Sequence, residues 1–164
     1  MEKSEFTEVL SSWLKDFLKK HFSQEYHIEV IVPKSTLSKL PHKEFKAKIK
    51  DYSCFEFQPD ILGLLTNKKS GEMKLVFLNR TTSGISVREI GEMNCYCRLA
   101  APILAFIAST AGIPDEVSKL ILEENIGNRL LKYKDSKIIL FKWNEEENKV
   151  EPLSIMPIEE RALF

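Results

Sequence analysis

Glycine and proline are scarce, six and seven among 164 residues, which excludes collagen-like, glycine-linker and low-complexity architectures. Cysteine is scarcer still. Cys54, Cys95 and Cys97 are an odd number with no tight framework, so a disulfide-stapled secreted fold is excluded and a reducing interior is expected. Net charge is absent: 24 basic and 24 acidic side chains cancel, which removes the overall cationic field that alone would argue for tight, unspecific nucleic-acid binding. No apolar run reaches the roughly 18 residues of a membrane span, and Glu2, Glu5 and Glu8 interrupt the place where a signal peptide would carry its apolar core. The expectation is a soluble, cytoplasmic protein without a membrane partner.

The usual chemical signatures are missing too. There is no G-x-x-x-x-G-K-[ST] loop, no G-x-G-x-x-G and no G-x-S-x-G elbow, so phosphate cradling by a glycine loop and an elbow nucleophile lack support. His21, His27 and His42 lie in three segments without metal-ligand spacing. Cys95-Tyr96-Cys97 places one residue between the thiols, where zinc sites use at least two.

What is present is a chain with 43% hydrophobic and 29% charged residues, long enough to bury a core as one domain spanning residues 1–164. Phe6, Val9, Leu10, Trp13, Leu14, Phe17 and Leu18 recur at helical spacing, predicting an amphipathic helix over about 5–21 with Ser4 as its cap. The β-branched alternation of Tyr26–Val32 predicts a strand ended by Pro33. Cys54–Leu65 reads as a second strand, and Lys68–Glu72 as a polar turn into a third, nearly continuous apolar strand, Lys74–Arg80. Ser86 and Glu89 form a capping box, announcing a helix to about Leu99. Ile103–Ala108 reads as a buried strand. A helix opened by Pro114, buried through Val117, Leu120 and Ile121, should end at Gly127. A hairpin turning at Lys134-Asp135-Ser136 should close the chain. Strands separated by helices imply an α/β fold, a mixed central sheet flanked by helices.

Charge is unevenly spread. Lys34, Lys39, Lys43, Lys46, Lys48 and Lys50 face a single acid, Glu44, while six glutamates between Asn144 and Glu160 face Lys149 alone. Such runs are ordinarily solvated surface. Pairing of the two segments between copies of the chain, or with a protein partner, is the other use of this pattern.

The informative stretch is Pro59-Asp60, followed by the apolar strand ending in Asn79-Arg80-Thr81 and by a helix with Glu92 and Tyr96. This layout resembles the PD-(D/E)xK nuclease superfamily over roughly residues 5–109. The resemblance implies a restriction-endonuclease-like α-β-β-β-α-β core, here with a C-terminal helix and β-hairpin. In that family the Asp of the first motif and an acid on the next strand bind Mg²⁺ through hard oxygens, and a lysine two residues on assists the attacking water.

Asp60 matches the first motif, and the helix around Tyr96 resembles the family's glutamine-to-tyrosine helix with Glu92 in the glutamine's place. The third-strand motif departs: Asn79, Arg80 and Thr81 stand where an acid, any residue and lysine are expected. The reading that follows is a catalytically inactive nuclease fold, needing no cofactor, that binds nucleic acid or acts as a scaffold. Lys43, Lys46, Lys48, Lys50 and Tyr96 are its candidate DNA contacts. The alternatives are a Mg²⁺-dependent DNA endonuclease or resolvase in which Glu8, Glu92 and Arg80 replace the missing groups around Asp60, and a protein-interaction subunit or homo-oligomer without a nucleic-acid role.

Overall fold

The computed structural model describes residues 1–40 and 55–164. The first helix, α1 (Lys3–Phe22), buries Phe6, Leu10, Leu14, Phe17 and Leu18 along one stripe. Ser4 lies inside the helix rather than capping it, because the chain turns helical two residues earlier than expected, at Lys3 after Glu2. Strand β1 (Tyr26–Ile31) follows. Next come β2 (Ile61–Asn67) and β3 (Met73–Thr81), joined by a turn in which Asn67 Oδ1 accepts from the N–H groups of Lys69 and Ser70, both at 2.9 Å.

The second strand begins later than the sequence predicts. Residues 55–60 lie outside the sheet, with a bend at Asp60: Phe55 and Phe57 bury their rings, and Leu37 N–H donates to the Phe57 carbonyl at 2.9 Å. Pro59, which has no N–H to offer a ladder, stands just before β2.

Helix α2 (Val87–Ala100) starts with the expected capping box: Ser86 Oγ accepts from Glu89 N–H at 3.2 Å while Glu89 Oε2 accepts from Ser86 N–H at 2.8 Å. Strand β4 (Leu104–Ser109) is buried over five of its six residues, as a strand covered on both faces must be.

Beyond β4 the sequence reading needs correcting. Two helices follow, α3 (Asp115–Leu122) and α4 (Glu124–Leu131), and Gly127 lies within the second instead of ending the first. The helices adjoin so closely that a Cβ at Gly127 would stand 2.1 Å from the Ile121 carbonyl oxygen. Leu120 is exposed, because α3 turns Val117 and Ile121 inward. The closing hairpin is only β5 (Lys132–Tyr133) and β6 (Ser136–Lys137); most of its expected return arm is a separate strand, β7 (Ile139–Asn144), which joins the main sheet and pairs with β8 (Lys149–Val150).

The main sheet is mixed, in the order β1-β2-β3-β4-β7-β8. β1, β2 and β3 form an antiparallel meander, β4 is parallel to β3, β7 is parallel to β4, and β8 is antiparallel to β7. Alternation sends Val76, Leu78, Phe106 and Phe141 to the face covered by α1, and Leu75, Phe77, Ile107 and Leu140 to the face covered by α2, α3 and α4. Each such side chain fully buried contributes about 1.5–3 kcal/mol.

The C-terminal aromatic closes the first face. Phe164 stacks on Trp13 (5.9 Å, 15°) and meets Phe17, Phe106 and Phe141 at 5.4, 6.2 and 5.8 Å, so it docks on its own chain. Among the described residues no helix is long and apolar enough to cross a membrane.

Candidate functional site

Asp60 stands where β2 begins and β3 ends. Ile61 pairs with Leu78, so one step further along the ladder Asp60 lies opposite Asn79. The side chains of this pair finish the ladder: Asp60 N–H donates to Asn79 Oδ1 at 3.2 Å, and Arg80 N–H donates to Asp60 Oδ2 at 2.8 Å. A carboxylate accepting a backbone N–H is a stabilising arrangement in its own right.

Alternation along β3 then separates Asn79, Arg80 and Thr81. Asn79 and Thr81 share the face of Phe77, toward α2, whereas Arg80 shares the face of Leu78, toward α1. Thr81 is buried, and its Oγ1 accepts from Ser83 N–H at 3.3 Å, tying down the loop after β3. Arg80 reaches α1: its Nε–H donates to Thr7 Oγ1, whose own hydroxyl donates to the Lys3 carbonyl at 2.9 Å. Its Nη1 is buried and has no hydrogen-bond partner among the described residues.

Beside Arg80 is a cavity of about 330 Å³, lined among others by Thr7, Pro33, Gln58, Asp60 and Arg80. Gln58 is held across it, its Nε2 donating to the Pro33 carbonyl at 2.9 Å. Sequence reasoning missed Thr7 and Gln58. Thr7 carried a readable signal, a polar residue at helical spacing from Leu10 and Leu14 on the buried stripe of α1; Gln58 carried none.

The other expected residues do not join this group. Glu8 lines a different cavity, of about 860 Å³, between α1 and the β7–β8 end of the sheet, together with Trp13, Trp143 and Phe164. Glu92 is exposed on α2 and does not line the Asp60 cavity. Tyr96 stacks on Phe57 (4.5 Å, 17°) and meets Phe55 edge-on at 5.0 Å, fixing the segment that leads to Pro59. Burial, then the charges of Glu92, Cys95 and Glu56, push its hydroxyl above the usual tyrosine range. Lys43, Lys46, Lys48 and Lys50 lie outside the described residues.

A Mg²⁺ ion requires several hard oxygens in octahedral geometry. Here Asp60 supplies one carboxylate, already accepting from Arg80, and Asn79 spends its carbonyl on Asp60 N–H. Among the described residues no three of His, Cys, Asp and Glu come together as a metal site. These groups do not fit a catalytic Mg²⁺.

Cys97 is fully buried on α2, and burial pushes its thiol far above the normal range, so it is a packing residue; Cys95 is exposed. The acidic C-terminal run is largely paired at home: Glu145 with the Met1 amine (2.8 Å), Glu147 with Lys149 (2.6 Å), Glu151 with Lys142 (3.1 Å) and Glu159 with Lys137 (2.6 Å). Compared with known proteins, the chain matches no family model, no curated protein and no solved structure.

Proposed function

We propose that this chain is a nuclease-like fold whose cleavage chemistry has lapsed and which acts as a nucleic-acid-binding or scaffolding domain. The observation that carries the reading is the register of β2 and β3. It brings Asp60 opposite Asn79 at adjoining strand ends, the placement that the PD-(D/E)xK resemblance implies for the two metal-binding acids. The element order supports it as well: a helix, an antiparallel three-strand meander, a helix, and a fourth strand parallel to the third.

Asn79 in the place of the acid and Thr81 in the place of the lysine supply neither the second carboxylate nor the ammonium. That chemistry favours binding over cleavage. Glu8, in its separate cavity, weighs against migrated catalytic groups.

The test incubates the protein with labelled single-stranded, double-stranded and branched DNA in Mg²⁺, Mn²⁺ or EDTA, beside Asp60→Ala. The expected result is no cleavage, with a retained complex that weakens as salt rises. Metal-dependent cleavage lost in Asp60→Ala overturns the reading and establishes a working nuclease.

A protein-interaction role is favoured by a different observation. Leu122, Leu153 and Ile158, 61%, 79% and 49% exposed, line one shallow cavity of about 440 Å³. A salt-insensitive complex with a protein and no DNA shift would select it.

A further inference from the structure

We propose that Cys95 is a modification site: the cavity between α2 and α4 takes up a small anionic disulfide, and the Cys95 thiol exchanges with it to form a mixed disulfide. The inference is independent of the nuclease-like reading, because this cavity shares no lining residue with the one beside Asp60.

Two helices build the site. Cys95 and Arg98 stand one turn apart on α2, Arg129 comes from the last turn of α4, and all three line a cavity of about 440 Å³. Cys95 is exposed, whereas Cys97, two residues on, points into the core. Both arginines are exposed, and neither guanidinium makes an ion pair or hydrogen bond with a described residue. No described carboxylate lines the cavity; Glu92, one turn before Cys95, is exposed outside it. A concave wall with two cations and no acid concentrates anions, and a planar guanidinium pairs with a carboxylate through two parallel bonds.

Asn94 gives the cavity a fixed acceptor. It is only 6% exposed, and its Nδ2 hydrogens are spent on the carbonyls of Leu130 and Lys132. Its Oδ1 accepts from no described residue and keeps some accessible surface, unlike the buried, unpartnered Tyr133 hydroxyl, and the residue lines the same cavity as Cys95. An ionised carboxylate has no hydrogen to give that oxygen; an N–H has. The thiol, the two guanidiniums and the amide oxygen together match a low-molecular-weight thiol that bears carboxylates and an N–H group, arriving as its disulfide.

The exchange balances without another reagent. Cys95 gives its proton to solvent, its sulfur attacks one sulfur of the incoming disulfide, and the new S–S bond forms as the old one breaks. The other half departs as a thiolate and takes up a proton, so oxidation of Cys95 is matched by reduction of the leaving thiol.

The experiment exposes the reduced whole chain, at low salt, to oxidised glutathione, which carries carboxylates and amide N–H groups, and to cystamine, a disulfide that carries ammonium groups alone. Intact mass follows the rate and tandem mass spectrometry assigns the cysteine. Each rate is divided by that of the same cysteine in the urea-unfolded chain, which removes the intrinsic reactivity of the reagent. The normalised rate with glutathione disulfide should exceed that with cystamine by about tenfold or more. Only Cys95 of the pair at 95 and 97 should react, and the preference should shrink toward one in about 1 M salt, where screening acts within about 3 Å.

Arg98→Gln combined with Arg129→Gln should bring the ratio near one. Both sites are exposed, and circular dichroism checks the fold; if the double variant does not fold, the salt dependence of the wild type still decides. A wild-type ratio near one at low salt, a ratio insensitive to salt, or a preference that survives in the folded double variant overturns the proposal.

Discussion

Replacing Gly127 by alanine tests how tightly α3 and α4 are joined. A helix interior gains about 1 kcal/mol when Gly becomes Ala, and α4 taken alone should follow that rule. The tertiary contact opposes it. The new Cβ would lie 2.1 Å from the Ile121 carbonyl oxygen and 3.0 Å from its carbon, both backbone atoms, and ordinary contact begins at 3.4 Å. One helix must therefore retreat from the other by about 1.3 Å. Overpacking of this kind costs about 1–3 kcal/mol beyond any propensity gain.

Gly91 is the internal control. It lies in α2, is exposed, and an added Cβ would meet nothing within 4 Å. Gly91→Ala should stabilise by about 0.5–1 kcal/mol. In thermal unfolding the two variants should move Tm in opposite directions, by roughly 2–4 °C per kcal/mol for a chain of this length. A Gly127→Ala protein as stable as Gly91→Ala would show that the helix junction opens freely, and the close-packing argument would fail.

Asn94 is buried on α2, and its Nδ2 donates to the carbonyls of Leu130 and Lys132 at 2.9 and 3.1 Å, clamping the end of α4. Asn94→Ala should cost about 2–3 kcal/mol in urea unfolding; a loss under about 0.5 kcal/mol would mean that the carbonyls find other donors. In alkylation of the folded protein followed by mass spectrometry, Cys95 should react and Cys97 should not, until denaturant is added. Equal labelling of both would refute the buried placement of Cys97. Glu159 is held below the usual carboxylate range by its bond to Lys137. A lowered folded-state value makes its contribution present above the unfolded pKa and lost as pH falls through the folded one. Because the pair is exposed, Glu159→Gln should cost less than about 1 kcal/mol at neutral pH and nothing in strong acid, as read from Tm against pH.

Periodicity made several elements legible. The stripe from Phe6 to Leu18 marks α1, the Ser86–Glu89 box marks the start of α2, and the apolar run around Phe106 marks a strand buried on both faces. These are local signals, written in spacing and capping chemistry. The stretch from Arg129 to Trp143 was not legible in the same way. A β-rich run with a polar turn fits a hairpin, and only the free edge of β4 draws Ile139–Asn144 into the main sheet as a parallel strand.

The candidate site divides along the same line. The Pro59-Asp60 pair and the identities of Asn79, Arg80 and Thr81 are matters of residue type, and the amino-acid sequence alone determined them. That Asp60 meets Asn79, that Arg80 turns to the opposite face and reaches Thr7, and that Glu8 borders a different cavity were decided by tertiary structure. The physical reason is strand register: a slip of one residue exchanges the two faces of a strand, and register is set by the packing of both faces at once, not by the residues of either strand alone.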